Sequence, residues 1–388
     1  MSLAASGVFP RISLDRSVSI IVPTFNGALR VGKCLDALLE QCAGRHAEIL
    51  VINDGSTDHT AEVVAAYSGP QLVDATWRDV RGLSGNVSRV KVRLISQPNA
   101  GPAAARNRGV IEARNKIIVF IDDDCVPAAG WLDAMIAPFD DPNVVGAKGS
   151  YRTLQTRLTA RFVQMEYEER YRRMARFAEI DFIDTYSAAF RRDRFLEVGG
   201  FDTSFPVACA EDADLSYRMA ARGLKMKFAR EAVVYHTHPE TIRAYLRKKY
   251  KFAFWRVLAV WKNPRRGVKD SHTPQLMKLQ LLFAPALVCA LVFDSVMRPR
   301  TPLSALVLAT FVVSTVPFAI AAIRRDPWLG MLSPLLLAAR SCAQGLGVIG
   351  GFLYAWRRPK PTSKEPTANR DKSVPWPEPK PRPGQVYE

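Results

Sequence analysis

Several signatures of common chemistry are missing from this 388-residue chain. Its six cysteines, at 34, 42, 125, 209, 289 and 342, form no Cys-x-x-Cys pair and no zinc-ligand spacing. That excludes a zinc ribbon and leaves reduced, structural thiols of a cytoplasmic domain as the expectation. No Ser/His/Asp or Cys/His pattern offers a covalent nucleophile. There is no internal repeat, and Met1 to Arg16 lacks the apolar core and cleavage site of a signal peptide. Acidic residues are scarce: 37 Asp and Glu face 54 Lys and Arg, a net charge of +17. Ten of those bases lie between Arg243 and Lys269, directly before the apolar third of the chain. That placement favours an anionic lipid surface over nucleic acid.

What is present begins with Ile117-Ile118-Val119-Phe120-Ile121, which runs straight into Asp122-Asp123-Asp124. A short apolar, β-branched run reads as a buried strand of a mostly parallel sheet. The carboxyl end of such a strand is where α/β sheets bind ligands. Asp122 and Asp124 are two apart, so in extended chain they share a side and can hold a hard divalent cation, which in turn can hold a diphosphate. The plainer reading is an acidic turn that caps the next helix.

Earlier strands end in similar clusters. Val18–Val22, stopped by Pro23, leads to Thr24-Phe25-Asn26. Glu48–Ile52 leads to Asn53-Asp54-Gly55, with Asp58 capping the helix that follows. Val92–Ser96 leads to Asn99-Ala100-Gly101-Pro102 and a helix over 103–113. The stretch from Ser68 to Arg89 reads as a polar surface insertion. Strand and helix alternate over this region, which indicates a parallel sheet covered on both faces. One polar cluster is a turn; four on one edge make a site. Asp54 can accept hydrogen bonds from a base or ribose, Gly55 and Gly101 allow close backbone approach, and Arg106 can face phosphate. Taken singly, each reads first as turn or cap chemistry.

Farther on, Val144–Tyr151 reads as a strand and 156–176 as a charged helix. Gly199-Gly200-Phe201-Asp202 precedes Glu211-Asp212-Ala213-Asp214 at a helix start. Three carboxylates there suit the helix dipole, or place one to take a proton from a hydroxyl. Two strand-like runs, 225–229 and 232–235, end at His236 and His238, which are metal ligands or surface histidines. Glu240 to Lys262 is amphipathic, with aromatics on one face and Arg243, Arg247, Lys248 and Lys251 on the other. It reads equally as a membrane-interfacial helix or as an ordinary surface helix. Leu303 to Ile323 is 21 residues without a charge, enough at about 1.5 Å per residue to cross a bilayer core of about 30 Å. The tail from Arg357 has eight prolines in 32 residues, a disordered composition.

At this point the residues match a known family. Over Ser17 to His236 the chain resembles the glycosyltransferase family 2 enzymes of the GT-A fold. The resemblance rests on Ser19-Ile20-Ile21-Val22-Pro23-Thr24-Phe25-Asn26-Gly27, Val51-Ile52-Asn53-Asp54-Gly55-Ser56-Thr57-Asp58, and Asn99 to Gly109. It continues through Phe120-Ile121-Asp122-Asp123-Asp124, Gly199-Gly200-Phe201-Asp202 and Glu211-Asp212-Ala213-Asp214-Leu215. It implies inverting transfer of a sugar from a nucleotide-sugar donor, with Mn2+ or Mg2+ as cofactor. By it, Asp54 is a nucleotide contact, and Asp122 and Asp124 form the pair for ribose, metal and diphosphate. Pro23, Thr24, Asn26, Asn99, Gly101, Arg106 and Asp123 join the donor site. Asp212 is the general base with Glu211 as second candidate, and His236 is a further metal ligand. Gly27 and Ala28 stand where many members carry an acidic residue. The Gln-x-x-Arg-Trp motif of processive members is absent after His236, which implies single additions.

The resulting expectation is an α/β, mostly parallel GT-A sheet flanked by helices, followed by transmembrane helices. Its parts are an extension over 1–16, a catalytic domain over 17–238, an interfacial helix and linker over 239–270, a membrane region over 276–356 and a disordered tail over 357–388. The partners expected are a nucleotide sugar, a lipid-linked or glycan acceptor and the inner membrane, with the catalytic domain cytoplasmic and no nucleic acid. In the membrane region, two spans are expected before a bent or interfacial pair of short helices within 328–356, which keeps domain and tail on one side. The rivals are a metal-dependent nucleotidyltransferase, whose Gly-rich loop with a lysine is missing near Pro23, and a non-catalytic basic membrane protein, against which both acidic clusters weigh.

Overall fold

The computed structural model describes residues 17–43, 45–68, 78–81, 87–205, 210–262, 271–298 and 301–357. The expectations for 1–16, the linker 263–270 and the tail beyond 357 lie outside those residues, as does most of the stretch between 68 and 89.

The described strands form one nine-stranded mixed sheet in the order β3-β4-β2-β1-β5-β8-β7-β9-β6. These are β1 (Val18–Thr24), β2 (Ala47–Asn53), β3 (Arg78–Arg81), β4 (Val87–Ser96), β5 (Ile117–Ile121), β6 (Val126–Pro127), β7 (Val144–Arg152), β8 (Ser187–Arg191) and β9 (Lys225–Tyr235). The four central strands β4, β2, β1 and β5 are parallel, joined by α1 (Val31–Gln41), α2 (Thr60–Ser68) and α3 (Pro102–Glu112). Ile20, Ile21, Val119 and Phe120 are sealed from solvent because helices cover both faces.

Three local expectations change. Pro23 does not stop the first strand: it sits in register opposite Ile52, and pairing continues to Thr24 and Asn53. Part of the polar insertion is sheet, since β3 pairs antiparallel with a longer β4. The runs 225–229 and 232–235 are a single strand. Its register against β7 shifts between Lys148 and Ser150, and that irregularity puts Arg230 and Glu231 in solvent.

Beyond the first parallel half come α4 (Trp131–Ile136), α5 (Leu158–Met174), α6 (Arg192–Val198), α7 (Glu211–Ala221) and α8 (Ile242–Lys262). The apolar third holds α9 (Gln275–Leu281), α10 (Phe283–Met297), α11 (Leu303–Ile323) and α12 (Pro327–Arg357). α11 and α12 are long and apolar enough to cross a membrane, and α9 with α10, bent by 42°, makes a third candidate.

The expected pair of short helices within 328–356 is instead one 31-residue helix, α12. Pro334 removes a backbone donor to Gly330, but the Ser333 hydroxyl donates to that carbonyl at 2.7 Å. The glycines are contact points rather than breaks. A Cβ on Gly347 or Gly351 would lie 2.4 or 2.5 Å from the backbone oxygens of Tyr250 and Phe254, so α12 lies closely against α8. Arg340 is buried against Glu166 of α5 rather than facing lipid.

Candidate active site

Parallel register sets the site. Thr24 lies opposite Asn53, and Asn53 opposite Ser96, so the segments after β1, β2, β4 and β5 emerge on one edge. The first two are laced together: Asn26 N donates to Ser56 Oγ at 2.9 Å, Thr57 N donates to Asn26 Oδ1 at 2.9 Å, and Gly27 N donates to Thr60 Oγ1 at 2.8 Å. Asp58 accepts from Thr60 N, as a cap for α2 should. Gly55 needs its glycine, with φ of 75° and an added Cβ only 2.7 Å from Asn99 N.

Asp54 is buried, and its carboxylate is already occupied. It accepts from Gln97 Nε2 at 2.7 Å, Ala100 N at 2.9 Å and Gly101 N at 2.8 Å, while Asn99 Nδ2 donates to the Asp54 carbonyl. Its direct role is to shape the 97–101 loop that borders the site. Asp123 likewise turns away from its neighbours. It is buried, accepts from Thr24 Oγ1 at 2.7 Å and pairs with Arg30 at 3.2 Å. Burial raises its pKa despite those donors. An added Cβ on Gly27 would meet Asp123 Oδ2 at 2.2 Å, which accounts for a glycine where an acidic residue was looked for.

Asp122 and Asp124 remain on the open side, their side chains 31% and 36% exposed. His236, at the end of β9, brings Nδ1 to 3.5 Å from Asp124 Oδ1. Among the described residues that buried nitrogen makes no well-formed hydrogen bond, which leaves it available to a ligand. Its ring stacks on Tyr151 with centroids 4.6 Å apart. Ligand atoms of Asp124, Cys125 and His236 all lie within 4.8 Å of one another. Burial, then the Asp122 and Asp124 charges among others, push the Cys125 thiol up and keep it protonated. The donors on offer are therefore carboxylate oxygens and one imidazole, a set that suits Mn2+ or Mg2+ better than a thiolate-preferring metal.

Arg106 is not free to face a phosphate. It is buried on α3, with Nη2 on Asp122 at 2.8 Å and Nη1 on Glu211 at 3.1 Å. It therefore couples the end of β5 to the start of α7. Glu211 is committed to that pair. Asp212 is different: its Oδ1 accepts from Ala213 N at 2.7 Å, and among the described residues it forms no ion pair. Burial, then the charges of Glu211 and Asp184, push its carboxyl up to about 8. A half-buried carboxylate of high proton affinity beside a strand-end acidic pair is equipped to take a proton from a neutral hydroxyl.

Sequence reasoning missed Cys125, Arg30 and the pair Lys148–Asp184. Only Lys148 gave a signal, as a charge inside an otherwise apolar strand. Of the two histidines, His238 is buried, bonded to Gln164 Oε1 at 3.0 Å and stacked on Tyr167. Burial, with nearby positive charge, pushes it down to about 3, so it is structural.

The family model described as glycosyl transferase family 2 matches residues 19–199. That of glycosyl transferase family group 2 matches residues 117–337, more than half of the chain. Among curated relatives, the pre-mycofactocin glycosyltransferase of Mycobacterium tuberculosis is 23% identical over 241 residues, 60% of this chain and 45% of the relative. The validoxylamine A glucosyltransferase of Streptomyces hygroscopicus is 25% identical over 246 residues, 55% of this chain and 54% of the relative. The chain thus spans about half the length of the curated relatives it matches. A mannosyltransferase from Pyrobaculum calidifontis, solved with GDP-Man and Mn2+, superposes with a TM-score of 0.57 at 21% identity over 86% of each chain. That likeness is one of fold.

Proposed function

From the premise that this chain belongs to glycosyl transferase family group 2 and carries the GT-A fold, we propose that it transfers a sugar from a nucleotide-sugar donor to a hydroxyl with inversion. The observation that carries this reading is Arg106, whose guanidinium joins Asp122 to Glu211 and so sets Asp212 beside the acidic strand end. Donor would lie along the edge formed by Pro23, Thr24, Asn26, the Asp54-organised loop with Asn99 and Gly101, and Asp122. Asp122, Asp124 and His236 would hold Mn2+ or Mg2+, which when bound offsets the charge of the departing diphosphate. Asp212 takes the proton as the acceptor hydroxyl attacks from the opposite face, so the displacement is single and needs no covalent nucleophile.

The same reading assigns residues 17–238 to catalysis, the helix after them to the membrane surface, and 276–356 to the membrane. Leu306, Val313, Leu335 and Trp356 are among many large apolar side chains left exposed on α11 and α12, more than a soluble surface carries. A lipid-linked acceptor at the cytoplasmic face fits a domain tethered there. The close packing of α12 on α8 supports a short route back to the domain's own side. Incubating the full chain in detergent with labelled UDP-glucose and GDP-mannose, with and without Mn2+, tests the activity. Metal-dependent release of nucleotide diphosphate that Asp212→Asn removes is expected; no turnover with any nucleotide sugar would leave a non-catalytic membrane protein as the better reading.

A further inference from the structure

Lys148 is an odd residue for an interior strand. It sits in β7 with its side chain fully buried, where an ammonium needs a partner. The partner is Asp184, just before β8, whose carboxylate contacts Nζ. Lys148 also donates to the Tyr186 hydroxyl at 3.1 Å and lies 4.7 Å from the centre of that ring. The Tyr186 hydroxyl is 2.7 Å from that of Tyr171, which accepts from Tyr151 N at 2.8 Å. The pair is therefore held from several sides, yet the Asp184 side chain keeps 18% of its surface in solvent.

The segment carrying Asp184 is tied to α7 beside Asp212. Ile183 N donates to Ser216 Oγ at 3.0 Å, and that hydroxyl donates to the Asp212 carbonyl at 2.7 Å. Apolar side chains of similar volume would fill the Lys148–Asp184 space at no cost in stability, so a buried ion pair at this place calls for another reason. We propose that Asp184, fixed by Lys148, is a positioning residue for Asp212. It holds a second negative charge beside the proton-accepting carboxylate and so strengthens it as a base. This rests on the reading of Asp212 as that acceptor.

The titratable and charged groups around Asp212 come from five parts of the chain. Glu211 on its own helix and Asp184 favour its protonated form, whereas Arg106 of α3 opposes it. Lys148 of β7 is paired with Asp184 and also interacts with the Asp212 charge, as does Tyr167 of α5; Arg170 of α5 acts on Lys148 and Tyr167. Arg106 is shared between Asp122 and Glu211, and Lys148 is committed to Asp184. Removing the Asp184 charge therefore lowers the proton affinity of Asp212, and ionisation moves to lower pH.

The test is Mn2+-dependent hydrolysis of UDP-glucose and GDP-mannose, water serving as acceptor, by the full chain in detergent across about pH 6 to 9.5. Asp184→Asn should move the acid limb of the rate to lower pH by at least about half a unit and lower the plateau several-fold. Donor affinity should stay the same, and Asp184→Glu should return the limb toward wild type. The pair variant Lys148→Met with Asp184→Leu is expected to fold and to carry the same shift. An unmoved limb in folded Asp184→Asn or in the pair variant overturns the proposal. If Asp212→Asn hydrolyses donor as fast as wild type, the reading of Asp212 fails instead, so the two failures are distinguishable.

Discussion

Glu166 is the residue whose loss should reach farthest. It is fully buried on α5, with Oε1 on Arg340 at 2.7 Å and Oε2 on both Lys249 at 2.9 Å and the Tyr245 hydroxyl at 3.0 Å. One carboxylate thus ties α5 to α8 and α12. Burial works against its charge, but Lys249, Arg340 and Arg170 outweigh it and bring its pKa from 4.5 down to about 2. At about 1.4 kcal/mol per unit, the charged form is favoured by about 3 kcal/mol. Glu166→Gln leaves two buried cations unmatched, a loss that typically costs about 3–5 kcal/mol. Burial already pushes Lys249 down to about 8, so it can shed its proton and hold the loss near the lower figure. For a chain of this size, at about 2.1 cal/mol/K of unfolding entropy per residue, that is a fall in Tm of about 4 °C. Thermal unfolding in detergent at neutral pH measures it. Because the folded pKa is depressed, the contribution is complete above pH 4.5 and disappears as pH falls toward about 2. The gap between wild type and variant should close over that window. A variant melting within about 2 °C of wild type, or a gap indifferent to acid, would refute the reasoning.

Three further outcomes follow from the site and the helices. Asp124→Asn should abolish metal-dependent donor binding, measured by calorimetry, and Asp122→Asn should weaken it less; unchanged affinity at saturating Mn2+ would remove both from the metal site. Asp212→Asn should lower turnover at least about a hundredfold with donor affinity intact. Glu211→Gln should chiefly cost stability, about 1–3 kcal/mol, because it removes one of the two carboxylates that hold buried Arg106; the reverse pattern would make Glu211 the base. A reporter fused after Glu388 should be active on the side of the catalytic domain, since α12 runs along α8, and activity only in the periplasm would restore a third crossing.

The parallel core was readable because its signals are local. Apolar runs such as Ile117–Ile121 suit buried central strands, and between them α1 carries its own apolar periodicity and α2 its Asp58 cap. Antiparallel additions were harder to see. β3 pairs with β4 through a polar segment, Arg78–Arg81, that carries no hydrophobic alternation to mark it. The unbroken α12 was misjudged for a related reason. Pro334 and five glycines each weaken an isolated helix, and a buried charge such as Arg340 needs a partner. Ser333 answers the proline, Glu166 the arginine, and α8 packs against the glycines at 347 and 351. Propensity alone sees the cost and not the answer.

The site divides along the same line. Asp122 and Asp124 were legible as carboxylates at a strand end, but strand alternation is not what places them: the chain turns there, with Cys125 N donating to the Asp122 carbonyl at 3.1 Å. That turn directs Asp123 to Thr24 and Arg30, which the motif alone does not show. Asp54, Arg106 and Glu211 were named for the ligand, yet their charges are spent on the protein: Asp54 on the loop 97–101, Arg106 and Glu211 on each other. This follows from burial, since a charged group sealed in the fold must be paired there before it can serve anything outside. Asp212 differs in being half-buried and in forming no ion pair of its own among the described residues, although Arg106 and Lys148 are near enough to act on it. Its proton affinity is then set by Glu211 and Asp184, which act on it even though each is paired with a cation of its own. Lys148 and Asp184, 36 residues apart in sequence, meet only once β7 and β8 have paired, so no reading of either segment alone could have found them.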